Sequence, residues 1–348
     1  MILPHISIAI PVFNRAHLVG RTIESVLRQE FEDYDVLVVD DASSDETVEV
    51  VEEYCRRDHR VRLVVNEKNL GLTRNWNRCL ELAVGPLVQL LLSDDLIDPD
   101  YLGCVSTVFE RYPGVGFVAA SCRYIDENDQ VIHSGTSCSP RLYQAGDEAV
   151  TALLKGGFPH VSSIVTRREC YEALGGFKEE IWHGPDVEMD ARLASRYDFY
   201  HFGSIHTCFR RHGCNMGALE FLRNDFLAAD MRKKQLAWGC LSPEGRHSLG
   251  VEDLDTFIAH EAAQTALGGA TVTIGYGRPD LSRFYLKEAL RLDPRSWRLR
   301  QFWKVCFLLL VPGIGRRVME SRMKISDADR SRVQEVESSL KAVSLPKR

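Results

Sequence analysis

Two pairs of adjacent aspartates stand directly after predicted buried strands. Asp40-Asp41 follows the apolar run Asp35 to Val39, and Asp94-Asp95 follows the apolar run Leu87 to Leu92. Carboxylates bind hard divalent cations such as Mg²⁺ and Mn²⁺, and they accept hydrogen bonds from ligand hydroxyls. Either pair alone fits the chemistry of a turn or a helix cap equally well. Two pairs at strand ends favour a shared site, in which one carboxylate of the second pair holds a cation and the other contacts a ligand hydroxyl.

Asp186 is a third candidate, because a carboxylate near a reacting hydroxyl can remove its proton. It opens a predicted helix after Gly184-Pro185, and Asp190 lies one turn further on the same face. Glu188 and Arg192 have the spacing of an ordinary intrahelical salt bridge. The helix N-terminus makes Asp186 a weaker base, whereas burial and neighbouring phosphates act in the opposite direction. A general base and a helix cap are both compatible with this position.

Two further segments have more than one interpretation. Gly175-Gly176-Phe177 has the pattern of a helix end followed by glycine. Arg210-Arg211-His212 is typical either of a surface basic patch or of cationic groups that contact a diphosphate. The two common glycine-rich phosphate-binding motifs are absent from the sequence. A nucleotide bound by this chain is therefore expected to be held by side chains and a metal.

Alternating apolar strands and amphipathic helices position these residues. We predict strands at residues 6–12, 35–39, 61–65, 87–92 and 116–120, and helices at 17–29, 45–57, 73–83 and 99–112, the last capped by Asp98. This alternation is typical of a parallel sheet covered by helices on both faces, in which ligands bind beyond the carboxyl ends of the strands. The expected site residues are therefore Phe13 to Arg15, Asp40-Asp41, Asn66 to Leu72 and Ser93 to Asp95.

The pattern changes after Tyr124. A hairpin is predicted around Asp126 to Asp129, followed by a strand at 161–166 and helices at 168–174 and 186–197, and the sequence from Ala218 onward is almost entirely helical. We place a domain boundary near Gly217. The expected domains are thus residues 1–217, which carry the candidate site, and a helical, basic region at 218–348.

Charge is distributed unevenly along the 348 residues. The net charge is −6, yet residues 278–348 contain 17 Lys and Arg against 8 Asp and Glu. This basic tail fits either solvated helix faces or contact with an anionic membrane or a phosphorylated acceptor. Trp297 to Arg317 mixes aromatic, apolar and basic residues, which fits an interfacial helix and, equally, a helix packed on the catalytic domain.

The cysteines and apolar runs bear on the cellular compartment. The ten cysteines are scattered without a Cys-x-x-Cys pair, so we expect reduced thiols. We expect no signal peptide, and the longest apolar run, Val305 to Ile314, is far shorter than the ~20 residues of a spanning helix. The expected location is the cytoplasm, with peripheral contact at the inner face of a membrane.

Together these segments resemble the family 2 glycosyltransferases, inverting enzymes of the GT-A fold. The resemblance spans about residues 5 to 217. The segments that carry it are Ile8 to Arg15, Val38 to Asp45, Asn69 to Gly71, Asn75 to Arg78, Ser93 to Asp95, Gly175 to Phe177, the helix of Asp186 and Arg210 to His212. It implies an α/β fold of the GT-A nucleotide-diphospho-sugar transferase type with a C-terminal helical extension.

The resemblance also implies a role for each matching residue. Phe13 packs on the nucleotide base, Asp41 bonds its edge and Asp94 contacts the ribose. Asp95 ligates the metal, His212 completes the metal site, and Asp186 is the general base. The remaining implied positions are Pro11, Asn14, Asp40 and Arg74 on the nucleotide and Gly175, Gly176 and Phe177 at the acceptor. One departure is Leu92, where many members carry an aspartate. Metal binding is therefore expected to rely on fewer protein ligands, and which of Asp94 and Asp95 takes which role stays open.

The implied activity is transfer of a sugar with inversion from a nucleoside-diphosphate sugar, expected to be a UDP-sugar, to a hydroxyl of a saccharide or lipid-linked acceptor. Mn²⁺ or Mg²⁺ is the implied cofactor, and no nucleic acid is expected as a partner. A catalytically silent nucleotide-sugar-binding scaffold is the alternative. A sugar nucleotidyltransferase is disfavoured, because no glycine-rich loop with a following arginine comes after the first strand.

Overall fold

The computed structural model describes residues 6–135, 139–157, 159–211, 220–223, 225–310 and Arg317. The predicted metal ligand His212 lies outside these residues, as does most of the tail beyond Leu310. The chain divides into two compact units. The first comprises the chain up to Arg211 together with Leu236–Leu249, and the second comprises the remainder. The segment Leu236–Leu249 therefore groups with the first unit, although it lies beyond the boundary expected near Gly217.

The first unit is built on one sheet. Its strands are β1 (Ile6–Val12), β2 (Tyr34–Asp40), β3 (Val61–Val65), β4 (Leu87–Leu90), β5 (Leu96–Ile97), β6 (Val115–Ile125), β7 (Val131–Ser134), β8 (Arg141–Tyr143), β9 (Ile164–Arg167) and β10 (Asp198–Arg210). The order is β3-β2-β1-β4-β9-β6-β10-β5, with β7 beside β6 and β8 beside β10. The pairs among β1 to β4 are parallel, as is β6 with β10, whereas β9 runs antiparallel to both of its neighbours.

Helices cover both faces of this sheet. They are α1 (Ala16–Leu27), α2 (Thr47–Arg57), α3 (Leu72–Leu82), α4 (Tyr101–Arg111), α5 (Asp147–Gly156), α6 (Arg168–Leu174) and α7 (Pro185–Ala194). Alternate β1 residues face opposite cores, because successive strand side chains point to opposite sides. Ile8 packs in the core with α1 and α4, whereas Ala9 packs in the core with α3 and α7. The predicted α/β fold with a central sheet flanked by helices is confirmed.

The second unit is helical within the described residues. The C-terminal part of the chain forms α8 (Phe226–Gly239), α9 (Pro243–Ser248), α10 (Leu254–Gly275), α11 (Pro279–Leu292) and α12 (Arg300–Leu310). Of these, α9 and the end of α8 belong to the first unit. Small residues on α10, such as Ala262 and Ala266, are fully buried, and the fully buried Tyr285 of α11 donates its hydroxyl to the Phe221 carbonyl at 2.8 Å. No helix among the described residues is long and apolar enough to span a bilayer.

Several predicted element boundaries are wrong at the corner after β4. The strand predicted at 87–92 ends at Leu90, and the helix predicted from residue 99 begins at Tyr101. Asp98 does not cap that helix, because its backbone N–H donates to the His206 carbonyl of β10 and its side chain pairs with Arg123. The extra strand β5 explains the difference, since it ties this corner to β10. The hairpin predicted near residues 126–129 is confirmed by β6 and β7.

Candidate active site

The carboxyl ends of the parallel strands meet at one edge of the sheet. Val12 of β1 lies beside Asp40 of β2, and Asp40 lies beside Val65 of β3. On the other side of β1, β4 pairs in register up to Ala9 beside Leu90. The loops that leave these strands therefore start from a common edge, as the strand pattern predicts.

The turn after β1 presents an exposed aromatic ring. Pro11 is buried within β1, whereas Phe13 is 43% exposed. Asn14 adopts a left-handed φ of 52°, which is uncommon for a residue other than glycine. Two hydrogen bonds of 2.8 Å support this conformation: the Asn14 N–H donates to Ser43 Oγ, and the Ser44 N–H donates to Asn14 Oδ1. The turn is thus fixed by its neighbour, and the ring of Phe13 is left available for a planar ligand.

Asp40 and Asp41 organise the loops beside this turn. Asp40 is fully buried and accepts the N–H and hydroxyl of Ser43 at 2.8 and 2.5 Å. The buried carboxylate of Asp41 accepts the Asn66 amide at 2.9 Å and the N–H groups of Leu70 and Gly71 at 2.8 and 2.9 Å. Asp41 therefore shapes the loop from residue 66 to residue 71. Its implied contact with a base edge stays a prediction.

Asp94 and Asp95 occupy different environments at the turn after β4. Asp95 is fully buried, and its two carboxylate oxygens accept the Ser162 hydroxyl at 2.5 Å and the Arg210 N–H at 3.0 Å. Asp94 is partly exposed, with a carboxylate oxygen 4.0 Å from Arg15 Nε. The two side chains differ, as the sequence indicates. Their backbone forms a turn, however, and not the extended strand assumed in that prediction.

The environment of Asp95 fits a bound divalent cation. Burial raises the pKa of this carboxyl well above its usual range, and the negative charge of Asp94 raises it further. The hydrogen bonds from Ser162 and Arg210 act in the opposite direction but do not overcome burial. A cation between the two carboxylates would remove this repulsion, and carboxylate oxygens are ligands that Mg²⁺ and Mn²⁺ accept.

His160 joins the same group, although no sequence pattern predicts it. Its Nδ1 lies 3.4 Å from the Asp95 carboxylate, and its ring packs 4.2 Å from the ring of Phe209. Burial lowers the pKa of His160 to about 4, while the charges of Asp186 and Asp94 raise it. The imidazole is therefore uncharged at neutral pH, which is the form that ligates metals. His160 therefore contacts Asp95, and the charges of Asp94 and Asp186 act on the same ring.

Asp186 lies in the first turn of α7, after Gly184 in a left-handed conformation and Pro185. It is partly exposed and does not cap the helix, whose N-cap residue is Gly184. Asp190, one turn further on, is buried, and among the described residues its Oδ2 has no hydrogen-bond donor. Burial raises the pKa of Asp190 well above its usual range, and the charge of Asp186 adds to this. Asp186 is thus partly exposed, and a second carboxyl is buried one turn further along α7.

The segment Gly175 to Phe177 is clamped between α3 and α7. The side chain of Asn77 donates to the Phe177 carbonyl and accepts its N–H, both at 2.8 Å. Arg192 of α7 donates to the Leu174 carbonyl at 2.6 Å and to the Gly176 carbonyl at 2.7 Å. The ion pair predicted between Glu188 and Arg192 is present at 2.9 Å. This glycine turn is therefore connected directly to the helix that carries Asp186.

The basic residues predicted at the site differ in exposure and in their partners. Arg74 is exposed and pairs with Glu179 at 2.8 Å. Arg210 is fully buried and donates to the Asp94 and Asp126 carbonyls at 2.8 and 2.7 Å, so a surface patch is the wrong interpretation for it. Arg211 is exposed and lies over the ring of Tyr124 at 4.3 Å.

A separate group of potential metal ligands lies elsewhere in the first unit. Within the described ranges, the ligand atoms of Asp100, Cys104 and His206 lie within 4.8 Å of one another. His206 already bonds Asp100 at 3.2 Å and the Ser204 hydroxyl at 2.7 Å. This group shares no residue with the cluster around Asp95.

Comparison with known proteins supports the assignment of the first unit. The family model for glycosyl transferase family 2 matches residues 7–175, which include the strand ends, both aspartate pairs and His160. Residues 7–175 therefore form a glycosyl transferase family 2 domain. The matched residues end just before Gly176 and the helix of Asp186, so those positions are assigned from the structure of this chain.

Two relatives and one solved structure illustrate the similarity. An uncharacterized protein of Mycobacterium tuberculosis (strain CDC 1551 / Oshkosh) is 32% identical over 206 residues, which are 56% of this chain and 63% of that protein. The GalNAc(5)-diNAcBac-PP-undecaprenol beta-1,3-glucosyltransferase of Campylobacter jejuni is 33% identical over 60% of this chain and 64% of that protein. The structure of S. aureus TarS 1-349 in complex with UDP-GlcNAc has a TM-score of 0.54 at 16% identity, covering 84% of this chain and 90% of that one.

The curated relatives and the solved structure support different conclusions. The chain spans less than two thirds of the length of both curated relatives. The resemblance to TarS concerns the fold, because the sequence identity is low. The family therefore rests on the matched domain, and the substrates are a matter for proposal.

Proposed function

We propose that this chain is an inverting glycosyltransferase that moves a sugar from a UDP-sugar to a hydroxyl of a saccharide or lipid-linked acceptor. The observation that carries the proposal is the contact of Asp95 with His160, whose pKa is also raised by the charges of Asp94 and Asp186. Asp94 lies 4.0 Å from Arg15, in the turn that exposes the ring of Phe13. The Campylobacter relative is named for transfer to an undecaprenol-linked saccharide, and TarS was solved with UDP-GlcNAc. Both names agree with this substrate class.

The turn after β1 and the loop organised by Asp41 support binding of the nucleotide by side chains. Phe13 offers a face for the base, in a turn held by Asn14. The loop shaped by Asp41 lies beside it, and Asp94 stands at the next strand end with Arg15 nearby. This arrangement supplies stacking and hydrogen bonding to a nucleoside without a glycine cradle.

Asp95 and His160 would hold the divalent cation, with Asp94 as the alternative carboxylate. The buried carboxylate is oriented by Ser162 and Arg210, and hydrogen bonds of this kind fix the geometry of ligating side chains. When bound, the cation offsets the negative charge that develops on the leaving diphosphate, an interaction on the order of 4 kcal/mol for unit charges ~4 Å apart in an effective dielectric near ~20. We propose Mn²⁺ or Mg²⁺ as this cation.

Asp186 would act on the acceptor. Its carboxylate removes the proton of the acceptor hydroxyl as that oxygen bonds to the anomeric carbon, while the bond from this carbon to the diphosphate oxygen breaks. General base catalysis of this kind contributes about 10²–10⁴ in rate. A single displacement inverts the anomeric centre. The turn from Gly175 to Phe177, bound to α7 through Arg192, would lie at the acceptor side.

A donor panel tests this function. The purified protein is incubated with UDP-, GDP- and dTDP-sugars, each with Mn²⁺ or with a chelator, and the release of nucleoside diphosphate is measured. We expect release from one UDP-sugar, with a rate that falls to background under chelation. Absence of release from every donor, with and without saccharide or lipid-linked acceptors, contradicts the proposal.

The second candidate is a nucleotide-sugar-binding scaffold without turnover. It predicts calorimetric binding of a UDP-sugar with no diphosphate release. The charge of Asp186, which acts on the same His160 that contacts Asp95, favours an enzyme, because binding alone does not need this further carboxylate. For either function we propose a cytoplasmic protein with peripheral contact at the inner face of an anionic membrane.

A further inference from the structure

Helix α12 of the second unit has apolar side chains on two opposite sides. Phe302, Val305 and Leu308 are buried against the rest of the unit. Trp303, Phe307 and Leu310 are 59%, 61% and 80% exposed. Their spacing of four and three residues aligns them along one side of the helix. We call this side, with its flanking residues Arg300 and Lys304, the outer face of α12.

The buried side already accounts for the packing of α12. A helix needs only one apolar stripe to attach to its own unit, and the residues opposite are normally polar. Three large apolar side chains in a row on the outer face therefore exceed what the fold requires. Contiguous exposed apolar surface of this kind marks a binding site.

The charges around the outer face are of one sign. Arg300 and Lys304 are exposed on the same side as Trp303 and Phe307, as expected from the helical spacing. From residue 294 to residue 310 the sequence contains four basic residues and no acidic one. These basic residues are Arg295, Arg298, Arg300 and Lys304. Within the described part of the chain, none of them forms an ion pair. Trp297, which is also exposed, lies under the guanidinium of Arg298 at 5.4 Å.

These charges distinguish between possible occupants. A second copy that docks through the same face would bring the patch against itself, because two-fold interfaces are self-complementary. Arg300 and Lys304 of both copies would then be brought into one interface, to which α12 itself contributes no carboxylate. An anionic bilayer complements both features of the outer face. Its negative headgroups can neutralise the basic residues, and its apolar boundary can take up the rings to a depth of about 5–10 Å. Trp is also enriched at the level of lipid headgroups.

We infer that the outer face of α12 docks peripherally on an anionic lipid bilayer, with Trp303, Phe307 and Leu310 inserted and Arg300 and Lys304 on the headgroups. This inference specifies the surface for the membrane contact included in the proposed function. It does not depend on sugar transfer, because binding to lipid needs no turnover. It would bring the chain to acceptors that are themselves anchored in the membrane.

Vesicle flotation tests the inference with the full chain. Vesicles of phosphatidylcholine alone and of phosphatidylcholine with phosphatidylglycerol are compared at low and high salt. We expect the protein to float with the anionic vesicles, less so at high salt, and to stay at the bottom with the neutral ones. Absence of flotation with anionic vesicles, or equal flotation with both compositions, overturns the inference.

Two variants and a matched control locate the surface. The double variant Trp303→Ser/Phe307→Ser should lower vesicle binding about 10-fold or more, and Arg300→Gln/Lys304→Gln should remove most of its salt dependence. The control is Val131→Ser/Ile132→Ser, which removes two exposed apolar residues of β7 in the first unit. It should float like the wild type. Equal loss in the control and in the α12 variants contradicts the assignment to α12.

Two further readouts separate the remaining outcomes. Light scattering after gel filtration reports the mass of each variant, and a dimer that dissociates in Trp303→Ser/Phe307→Ser identifies a second copy as the occupant and overturns the inference. Diphosphate release with a soluble acceptor should be the same in wild type and α12 variants. Flotation without any turnover contradicts only the proposed enzyme, whereas turnover without flotation contradicts only the membrane surface.

Discussion

At the residue scale, the buried carboxylates of the site have two kinds of task. Asp41 uses its oxygens to hold three donors of one loop, so its negative charge is compensated within the protein. Asp95 accepts only two hydrogen bonds and lies beside Asp94, and burial raises its pKa well above the usual range. The first carboxylate stabilises the fold, whereas the second is a buried carboxyl whose ionised form a bound cation would stabilise.

Replacement of Asp41 by Asn should destabilise the first unit by about 2–4 kcal/mol, because a carboxamide cannot accept from all three donors and leaves buried N–H groups without a partner. Urea denaturation followed by circular dichroism measures the change. Asp33→Asn is the control, since Asp33 is exposed. An Asp41→Asn protein as stable as the control would show that the loop does not depend on this carboxylate.

Replacement of His160 by Ala should raise the Mn²⁺ concentration for half-maximal diphosphate release about 10-fold. The reason is that the substitution removes the uncharged nitrogen proposed to ligate the cation beside Asp95. Activity is measured across a Mn²⁺ titration, with His133→Ala on the exposed strand β7 as the control. An unchanged Mn²⁺ requirement in His160→Ala would remove this residue from the cation site.

At the element scale, the sequence predicts the edge of the site better than its interior. The strand ends after β1, β2 and β4 are predictable, because apolar runs followed by polar residues indicate where parallel strands end. His160 and Ser162 are not, because they reach Asp95 from a segment more than 60 residues away and have no diagnostic spacing. Asp98 illustrates the reverse error, since contacts with β10 and Arg123 replace its local capping role.

The glycine turn before α7 allows a matched pair of substitutions. Gly175 and Gly176 both have positive φ, of 82° and 69°. A Cβ at Gly175 meets nothing within 4 Å, whereas a Cβ at Gly176 lies 2.8 Å from Asn77 Oδ1. We expect Gly175→Ala to cost about 1 kcal/mol in stability from backbone strain, and Gly176→Ala to cost about 1–2 kcal/mol more. Thermal unfolding measures the loss of stability in each variant. Equal losses would show that the close contact with Asn77 does not affect stability.

The connection between α2 and β3 gives a prediction for pH. The side chain of Arg60 binds Asp58 through two hydrogen bonds of 3.0 and 2.7 Å, which lower the pKa of Asp58 to about 2. A lowered pKa stabilises the fold above the normal pKa of about 4 and loses this effect as pH falls towards 2. Asp58→Asn should therefore be less stable than wild type at pH 7, with a gap that closes in acid. A gap that is constant from pH 7 to pH 2.5 in urea denaturation would contradict the pKa shift.

At the scale of the whole molecule, the chain combines a family 2 glycosyl transferase domain with helices that carry basic residues. The uneven charge is visible in the sequence, which is compatible with two interpretations of residues 297–317, an interfacial helix and a helix packed on the catalytic domain. The structure shows that α12 is buried on one side and exposes apolar residues on the other. Exposure of single side chains depends on the packing of distant helices, so sequence spacing alone could not separate the two.

The rate of diphosphate release by Asp186→Asn, compared with wild type, tests the central account most directly. The measurement uses saturating donor and acceptor with Mn²⁺, and calorimetry checks that donor binding is retained. The account predicts a fall of about 10²–10⁴ in turnover with little change in donor affinity, because the carboxylate that accepts the proton is absent. A variant that binds the donor and turns over at the wild-type rate would contradict the role of Asp186 and the mechanism built on it.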